Sequence, residues 1–175
     1  LYAQRDPRVV RLAERVAAVF GDASRFPRLR AVLADATAEA SARQHAFGVL
    51  ARAQDQESLP AFLALLDEPK FRAAALPLLA RFDRPEVSQA ILGHFSRLDA
   101  GERVAALNAL TGRASFALAL LEAVSRGELK RDQLTSYQVR QLTQLHNPEV
   151  DRRVQAAWGR LQQSPAEKLA FMSRL

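Results

Sequence analysis

One phrase recurs along the sequence: an apolar run ends, a short break follows, and an acidic residue opens the next run. It reads RFDRPEV at residues 81–87, QLHNPEV at 144–150 and, more loosely, RAQDQES at 52–58. A leucine stands seven residues before the acidic residue in the pairs Leu50 with Glu57, Leu79 with Glu86, and Leu142 with Glu149. Leu110 takes the same place in a further copy, so the repeats are 29 to 32 residues apart. A period of this length indicates a fold made of stacked repeats.

Apolar residues within each repeat follow the spacing of a helix rather than that of a strand. One such stripe, predicted to face the core, consists of Phe71, Ala74, Ala75, Leu78, Leu79 and Phe82. Val9 and Leu12 begin a similar stripe, which is also predicted to be buried. The spacing predicts about ten or eleven helices, near residues 7–20, 27–36, 39–53, 58–66, 69–82, 85–97, 100–112, 115–126, 135–145, 148–161 and 165–174.

The breaks between these helices carry signals for ending one helix and starting another. The side chain of Asp or Asn can accept hydrogen bonds from the unpaired amides at the start of a helix. A proline shortly after it has a φ angle that is already helical and has no amide to leave unpaired. This pattern occurs as Asp6 with Pro7, Asp83 with Pro85, and Asn147 with Pro148. Two capping boxes are predicted, at Asp99 with Glu102 and at Ser164 with Glu167. The acidic pair of Asp67 and Glu68 precedes Pro69 and is likewise predicted to cap a helix.

Such short connections require consecutive helices to pack antiparallel, and stacked hairpins bury a continuous core. The predicted fold is therefore all-α, a right-handed α-α superhelix of about ten or eleven antiparallel helices. Residues 1–162 are expected to form the repeat domain, and residues 163–175 a C-terminal helix that leads into a following domain. Leu1 precedes Pro7 as Leu79 precedes Pro85, so the chain is expected to begin inside a repeat and to be a fragment of a larger protein.

Helix pairs joined by tight turns and repeated with a short period resemble HEAT and related α-solenoid repeats, although this unit is shorter than the common HEAT repeat. A second resemblance covers roughly residues 40–175. Its matching segments occur in the order LARFDRPEVSQAILGHF, RLDAGERVAALNALTGRASFALALLEAV, LKRDQLTSYQVRQLTQLHNPEVDRRVQAAWG and SPAEKLAFMSRL. Leu110, Pro148 and Trp158 are among the matching positions. These segments resemble the helical linker of large exported bacterial proteins. In those proteins a dehydrogenase-like β-propeller precedes the linker and a c-type cytochrome domain follows it.

The resemblance to this linker implies an interaction module or spacer whose natural compartment is extracytoplasmic, in the periplasm. The chain contains no Cys-x-x-Cys-His haem-attachment motif, so no catalytic or haem-binding residue is carried over from the family. The absence of cysteine also excludes disulfides, zinc fingers and thiol nucleophiles. No apolar run reaches the roughly 18 residues of a membrane span, and no cofactor or membrane insertion is predicted.

The net charge of the chain is +6, and 22 of its 25 basic residues are arginine. The candidate binding residues are all arginines. Arg8, Arg11 and Arg15 recur at helical spacing and form one basic strip, and a later helix carries Arg152, Arg153 and Arg160. These six residues are the candidate anion-binding or partner-binding site. If the strips line one concave surface, they could bind the phosphates of nucleic acid. Acidic residues on the same helices, among them Glu14 and Glu149, favour an ordinary solvated surface instead.

An enzyme is not predicted, because no catalytic constellation is found. The three histidines have no metal-site spacing, and His94 extends an apolar face, which is typical of a packed histidine. His45 follows Ser41 by one helical turn but has no evident orienting acid. The predicted function is a non-catalytic scaffold or spacer, expected to be a monomer, that contacts neighbouring domains or a protein partner. The alternative is a basic solenoid that binds nucleic acid.

Overall fold

The computed structural model describes residues 9, 10, 12 and 23–159 of the 175-residue chain. The regular structure of these residues is entirely helical. Nine α-helices lie within residues 23–159 and are numbered here in chain order. They are α1 (Phe26–Ala34), α2 (Ala40–Ala53), α3 (Leu59–Ala64), α4 (Pro69–Leu79), α5 (Pro85–His94), α6 (Ala100–Leu110), α7 (Ala114–Ser125), α8 (Ser136–Thr143) and α9 (Pro148–Trp158). Single 3₁₀ turns occur at Gln56–Ser58, Leu65–Asp67, Phe95–Arg97 and Arg131–Gln133.

Each of these nine helices corresponds to one that the apolar spacing predicts. The largest differences are at carboxyl ends, where the predicted helices run on by two or three residues. At α3 and α5 the extra residues form 3₁₀ turns, in which each amide bonds to the carbonyl three residues back. The predicted helices at 7–20 and 165–174 lie largely or wholly outside the described residues, as does the proposed end of the repeat domain at residue 162. The total of ten or eleven helices therefore stays a prediction.

The sequence predicts a side-chain cap at four helix starts in the described region, and the structure has that cap at two of them. The side chain of Asn147 accepts hydrogen bonds from the amides of Glu149 and Val150, at the start of α9. Asp99 and Glu102 form the predicted capping box of α6. The starts at Asp6 and Ser164 lie outside the described residues.

The predictions for Asp83 and Glu68 as caps are wrong. Asp83 accepts from the Ser115 hydroxyl at 2.8 Å and lies 3.5 Å from Arg113, while α5 starts without a side-chain cap. Glu68 precedes α4, but its side chain accepts no hydrogen bond from the amides of that helix, because both of its carboxylate oxygens accept from the guanidinium of Arg43. Satisfying a buried guanidinium outweighs capping an exposed amide, since water can solvate the amide instead.

Three helices share a longer motif, in which an alanine follows an arginine after three residues and a leucine follows the alanine after four. Its copies are Arg43, Ala46 and Leu50; Arg72, Ala75 and Leu79; and Arg103, Ala106 and Leu110. The arginine is the fourth residue of α2, α4 and α6, and the alanines and leucines are fully buried. Each arginine donates to a main-chain oxygen at the end of the preceding helical segment, those of Leu33, Leu66 and Ser96. The arginines thus satisfy carbonyl groups that a helix end leaves unpaired.

The predicted core stripe on α4 is confirmed with one exception. Phe71, Ala75, Leu78, Leu79 and Phe82 are buried, while Ala74 is exposed. The prediction for Val9 and Leu12 is wrong, because their side chains are 60% and 59% exposed. Helical spacing identifies the apolar face of a helix but does not determine which neighbour covers it.

The chain divides into two compact units, residues 1–82 and 83–175. In the first unit α1 packs against α2 and α3, and α3 packs against α4. In the second unit α7 packs against α5, α6 and α9, and α8 packs against α9. Within the described region no helix combines the length and the apolar character that crossing a membrane requires.

Candidate functional site

Of the six arginines that the sequence selects, Arg152 and Arg153 lie in the described region, both on α9. Arg8, Arg11, Arg15 and Arg160 lie outside the described residues. Arg152 is largely exposed, with 75% of its side chain accessible, whereas Arg153 is about half as accessible at 38%. The two side chains border a groove in the second unit, which brings them together with a third arginine that the sequence pattern did not select.

This groove has a volume of about 590 Å³ and lies between α7, α9 and the loop that follows α7. Its apolar part consists of Leu121, Val124, Ala156 and Ala157, and its polar part of Ser125, Arg131, Glu149, Arg152 and Arg153. We call it the arginine groove. Among the lining residues that the structure describes, three guanidinium groups and one carboxylate give a formal charge of +2, because each arginine contributes +1 and the glutamate −1.

The position of the groove follows from the local sequence of α9. Asn147 caps the helix and Pro148 opens it, so that Glu149 stands in the first turn. At 3.6 residues per turn, Glu149, Arg152, Arg153, Ala156 and Ala157 follow one another on a single face of the helix. The alanines leave space beside α7, and this space is the groove.

Glu149 links the two arginines of α9. It accepts from Arg152 at 2.5 Å and from Arg153 at 2.8 Å. The hydrogen bonds from Arg153 and Arg152 hold the pKa of the Glu149 carboxyl below its usual value. Glu149 therefore stays ionised at neutral and mildly acidic pH, and it holds both guanidinium groups beside the groove.

Arg131 reaches the groove from the 3₁₀ turn between α7 and α8. One of its terminal nitrogens donates to the main-chain oxygen of Ala157 at 2.6 Å, in the last turn of α9. A cation is favoured at this end of a helix, where the unpaired carbonyls carry partial negative charge. This bond occupies one of the five N–H groups of the guanidinium, so others can bind a ligand.

A shallower depression of about 470 Å³ adjoins the arginine groove and shares Val124 and Arg131 with it. Its remaining lining consists of Gly127, Leu129, Lys130 and Asp132. Gly127 has φ +75°, which a residue with a side chain rarely adopts, and it turns the chain away from the end of α7. This turn allows Lys130 and Arg131 to follow closely, so it helps to place the basic residues beside the groove.

Several other arginines of the described region are paired with carboxylates. Arg30 binds Asp55 and Glu57, Arg43 binds Glu68, and Arg126 binds Glu122 and Glu128. Arg43 is buried, whereas Arg126 is exposed. These pairings reduce the positive potential outside the groove, because each guanidinium lies against an opposite charge.

His94 and Ser41, both considered from the sequence, have local hydrogen bonds, as does Ser125 in the groove. The Nδ1 atom of His94 lies 2.8 Å from the main-chain oxygen of Ala90, and the side chain is half-buried, as predicted. The hydroxyl of Ser41 donates to Glu39, and that of Ser125, in the groove, donates to the main-chain oxygen of Glu122. Residues 9, 10, 12 and 23–159 contain no group of three or more acidic or histidine side chains suited to a metal ion.

The sequence pattern identified two of the three arginines of the groove and missed the third. Arg152 and Arg153 share a helix face with Glu149, so their association follows from helical spacing. Arg131 stands more than 20 residues earlier, in a polar loop, and no periodicity connects it to α9. The contiguous basic residues of LKRDQ mark this loop, but only the packing of α7 and α9 brings Arg131 to the groove.

The chain was compared with protein-family models, with curated proteins and with solved structures. None of these three comparisons found a match. The arrangement of the groove residues is therefore the basis of the functional assignment that follows.

Proposed function

We propose that this chain is a non-catalytic helical-repeat scaffold or spacer within a larger multidomain protein, and that it binds a protein partner in the arginine groove. The proposed arrangement is a HEAT-like superhelix of antiparallel helices. We further propose that the chain acts as a monomer and that its neighbours are other domains of the same protein.

The repeated arginine, alanine and leucine positions support a HEAT-like architecture. The same three positions recur in α2, α4 and α6, and each arginine bonds to the end of the preceding helical segment. In the second unit the alternate helices α5, α7 and α9 pack in series, which is the neighbour pattern of stacked helical hairpins. Surfaces between successive repeats are common places for partners to bind.

The observation that carries the proposed function is the arginine groove itself. Helices from successive repeats line it, and the polar groups among its described lining residues are three arginines, one ion-paired glutamate and one serine bonded to its own helix. These groups offer hydrogen-bond donors and positive charge, which suit recognition of another molecule. A nucleophile held beside a base, which catalysis by covalent attack requires, is not part of this set.

The test is a selection of random peptides displayed on phage against the full chain, with Ala156→Trp as the comparison. Tryptophan at this exposed position of α9 occupies the groove without replacing a buried residue. We expect enriched peptides that bind the unmodified chain and lose most of their binding to the variant. Enrichment that is equal on both proteins, or no enrichment, would contradict a partner site in the groove.

The parent protein that we propose is one that resembles the exported bacterial proteins with a β-propeller and a c-type cytochrome domain, in which the chain would form the linker. The matching order of segments from residue 40 onward supports this context. In this context we propose that the scaffold lies outside the cytoplasm, between the two flanking domains.

Nucleic acid is the second candidate partner, and the exposure of Arg131 and Arg152 beside one groove favours it. Glu149 in the same groove pairs with Arg152 and Arg153, which lowers the positive charge that a run of phosphates would meet there. The pairing of Arg30, Arg43 and Arg126 with acidic residues also limits the number of phosphates that the described surface can neutralise.

A further inference from the structure

We propose that the arginine groove recognises an acidic segment of the partner protein, whose carboxylates bind Arg131 and Arg152 while an apolar side chain of the segment lies on Ala156 and Ala157. This inference rests on the proposed function, since it specifies the chemistry of the protein segment that the scaffold binds.

Unequal charge in the groove is the first argument. Glu149 faces Arg152 and Arg153, so one carboxylate serves two guanidinium groups. Arg131 forms no ion pair with a described residue, and its bond to Ala157 is to a neutral carbonyl. One carboxylate of a ligand would balance the charge of Arg131. A second could bind Arg152 in addition to Glu149, because the Arg152 side chain is 75% exposed. A segment with two or more acidic residues therefore complements the groove.

The apolar part of the groove is the second argument. Leu121 and Val124 are already buried, with 3% and 9% of their surfaces exposed, so a ligand gains little by covering them. Ala156 is exposed and Ala157 half-buried, and they offer room for one side chain of modest size. Because apolar burial contributes little, the charges decide which ligand binds.

Glu149 is inferred to act as a positioning residue. Its bonds restrict Arg152 and Arg153 to one side of the groove before a partner arrives. A guanidinium that is already ordered loses less conformational freedom when it binds a carboxylate.

The charge of residues 160–175 makes this segment of the chain a poor ligand for the arginine groove. Residues 160–175 contain Arg160, Lys168 and Arg174 against Glu167, which gives three positive charges and one negative. A second copy of the chain brings a net charge of +6 to a groove that is itself positive. Like charges across an interface are unfavourable, so a separate acidic partner is the better complement.

A small carboxylate would use the same donors but would bind more weakly. The groove is partly open to solvent, so a small ligand bound there would keep some contact with water. A peptide chain can add contacts along α9 and over the adjoining depression, where Lys130 provides another positive charge. These additional contacts favour a peptide segment over a free small molecule.

The experiment measures fluorescence anisotropy of two labelled peptides with the full chain. Both contain leucine and alanine in the same order, and they differ only in four positions, which are glutamate in one peptide and glutamine in the other. The chain is used unmodified and as Arg131→Gln, Arg152→Gln and Ala156→Trp. Arg140→Gln is the matched control, since Arg140 is an exposed arginine of α8 outside the groove.

We expect the glutamate peptide to bind at least about tenfold more tightly than the glutamine peptide at low salt. Arg131→Gln and Arg152→Gln should each weaken its binding about three- to tenfold, and Ala156→Trp at least as much, whereas Arg140→Gln should change it less than about twofold. Raising sodium chloride from about 50 to about 300 mM should weaken binding several-fold, because the charges are near the surface.

Equal affinity for the two peptides, including the absence of binding by either, would overturn the inference. An equal loss with Arg140→Gln and Arg152→Gln would also overturn it, because only the net charge would then matter. Tighter binding of a duplex oligonucleotide than of the acidic peptide, lost with Arg152→Gln, would assign the groove to phosphates instead.

The peptide selection separates this inference from the proposed function. If the selected peptides depend on Ala156 but contain no more Asp and Glu than the starting library, the acidic partner is wrong and the scaffold function stands. If no selected peptide depends on Ala156, the groove is not a partner site and the proposed function itself fails.

Discussion

At the scale of single residues, Arg43 shows how one buried charge can connect three parts of a unit. Its guanidinium donates to the main-chain oxygen of Leu33 at 3.0 and 3.1 Å and to both carboxylate oxygens of Glu68 at 2.6 Å. It also lies 4.9 Å from the centre of the Phe71 ring. Four of the five N–H groups are hydrogen-bonded, two of them to a carboxylate. The burial of this charge therefore joins the end of α1 to the start of α4 at a tolerable desolvation cost.

The equivalent arginine of α6 has a much poorer set of partners. Arg103 makes one long hydrogen bond to Ser96 at 3.4 Å, and its Nε atom is buried without a partner. We therefore expect Arg43→Met to lower the free energy of unfolding by about 2–3 kcal/mol, because Glu68 and Leu33 lose their donors. Arg103→Met should lower it by less than about 1 kcal/mol.

Urea denaturation followed by circular dichroism measures both variants. The methionine replaces the aliphatic part of each arginine, so the comparison reports chiefly on the guanidinium groups. Equal losses in the two variants would show that the hydrogen bonds of Arg43 contribute no special stability.

The carboxyl of Glu68 makes the stability of the first unit depend on pH. Its hydrogen bonds to Arg43 hold the pKa of Glu68 below the ordinary value of 4.5. A lowered pKa in the folded state means that the unfolded state binds the proton more readily. The stabilisation is therefore complete above the ordinary pKa and is lost as the pH falls from there through the folded-state pKa.

We expect Glu68→Gln to be less stable than the unmodified chain at neutral pH and to approach it in stability near pH 3. Protonated glutamate and glutamine are both neutral, so the difference between the two proteins should shrink as Glu68 takes up its proton. Urea denaturation at several pH values measures this, with Glu86→Gln as the control that removes one exposed carboxylate from α5. A difference that stays constant with pH would refute the assigned role of the ion pair.

At the scale of helices, α4 contains prolines in two different environments. Pro69 is the first residue, where the missing amide has no helical partner and the fixed φ angle is favourable. Pro77 lies inside the helix, where its ring removes one hydrogen bond and crowds the preceding turn. The helix ends at Leu79, two residues after Pro77, although the apolar stripe continues to Phe82.

Replacing Pro77 by alanine should stabilise the protein. Pro77 is exposed, so the change removes no buried surface, and an alanine amide can bond to the carbonyl of the preceding turn. We expect an increase of about 1–2 kcal/mol in the free energy of unfolding, which corresponds to a rise of several degrees in Tm. Pro69→Ala should have no such benefit, since proline is favoured at that position.

Thermal denaturation by calorimetry distinguishes these two substitutions. If Pro77→Ala lowers Tm, the backbone geometry that proline imposes at this position is required for packing of α4, and the loss of a helical hydrogen bond is secondary. A parallel rise for Pro69→Ala would instead indicate a general effect of alanine on helix formation.

At the scale of the whole molecule, the net charge of +6 is a weak guide to function. In the described region the arginines Arg30, Arg43, Arg113, Arg126, Arg152 and Arg153 have acidic neighbours. Positive charge that is paired in this way contributes little to the release of counterions from nucleic acid. The net charge of the chain is therefore a poor predictor of its affinity for nucleic acid.

We expect only weak, non-specific binding of oligonucleotides. Duplex and single-stranded probes should bind the full chain no more tightly than about 10 μM near 150 mM salt, which is the range of non-specific association. Fluorescence anisotropy at low and moderate salt measures this. Submicromolar binding with a steep loss at higher salt would support the nucleic-acid function, and Arg152→Gln would then test whether the arginine groove takes part.

The division between sequence and tertiary structure can be followed at particular residues. The start of α9 at Asn147 and Pro148 and the capping box of α6 depend on residues within four positions of each other. Local geometry is sufficient for these two features because the capping side chains keep their local hydrogen bonds, whereas distant partners take the side chains of Glu68 and Asp83. Helical spacing likewise predicts that Arg152 and Arg153 share a face with Glu149.

By itself, then, the sequence determined where the helices begin, the period of the repeat and the apolar faces, because each follows from nearby residues and the pitch of a helix. Tertiary structure decided which charges meet. Glu68 binds Arg43 from 25 residues away instead of capping its own helix, and Asp83 bonds to Ser115 32 residues ahead. Arg131 joins Arg152 and Arg153 in the same way, because the packing of α7 and α9 brings distant segments together.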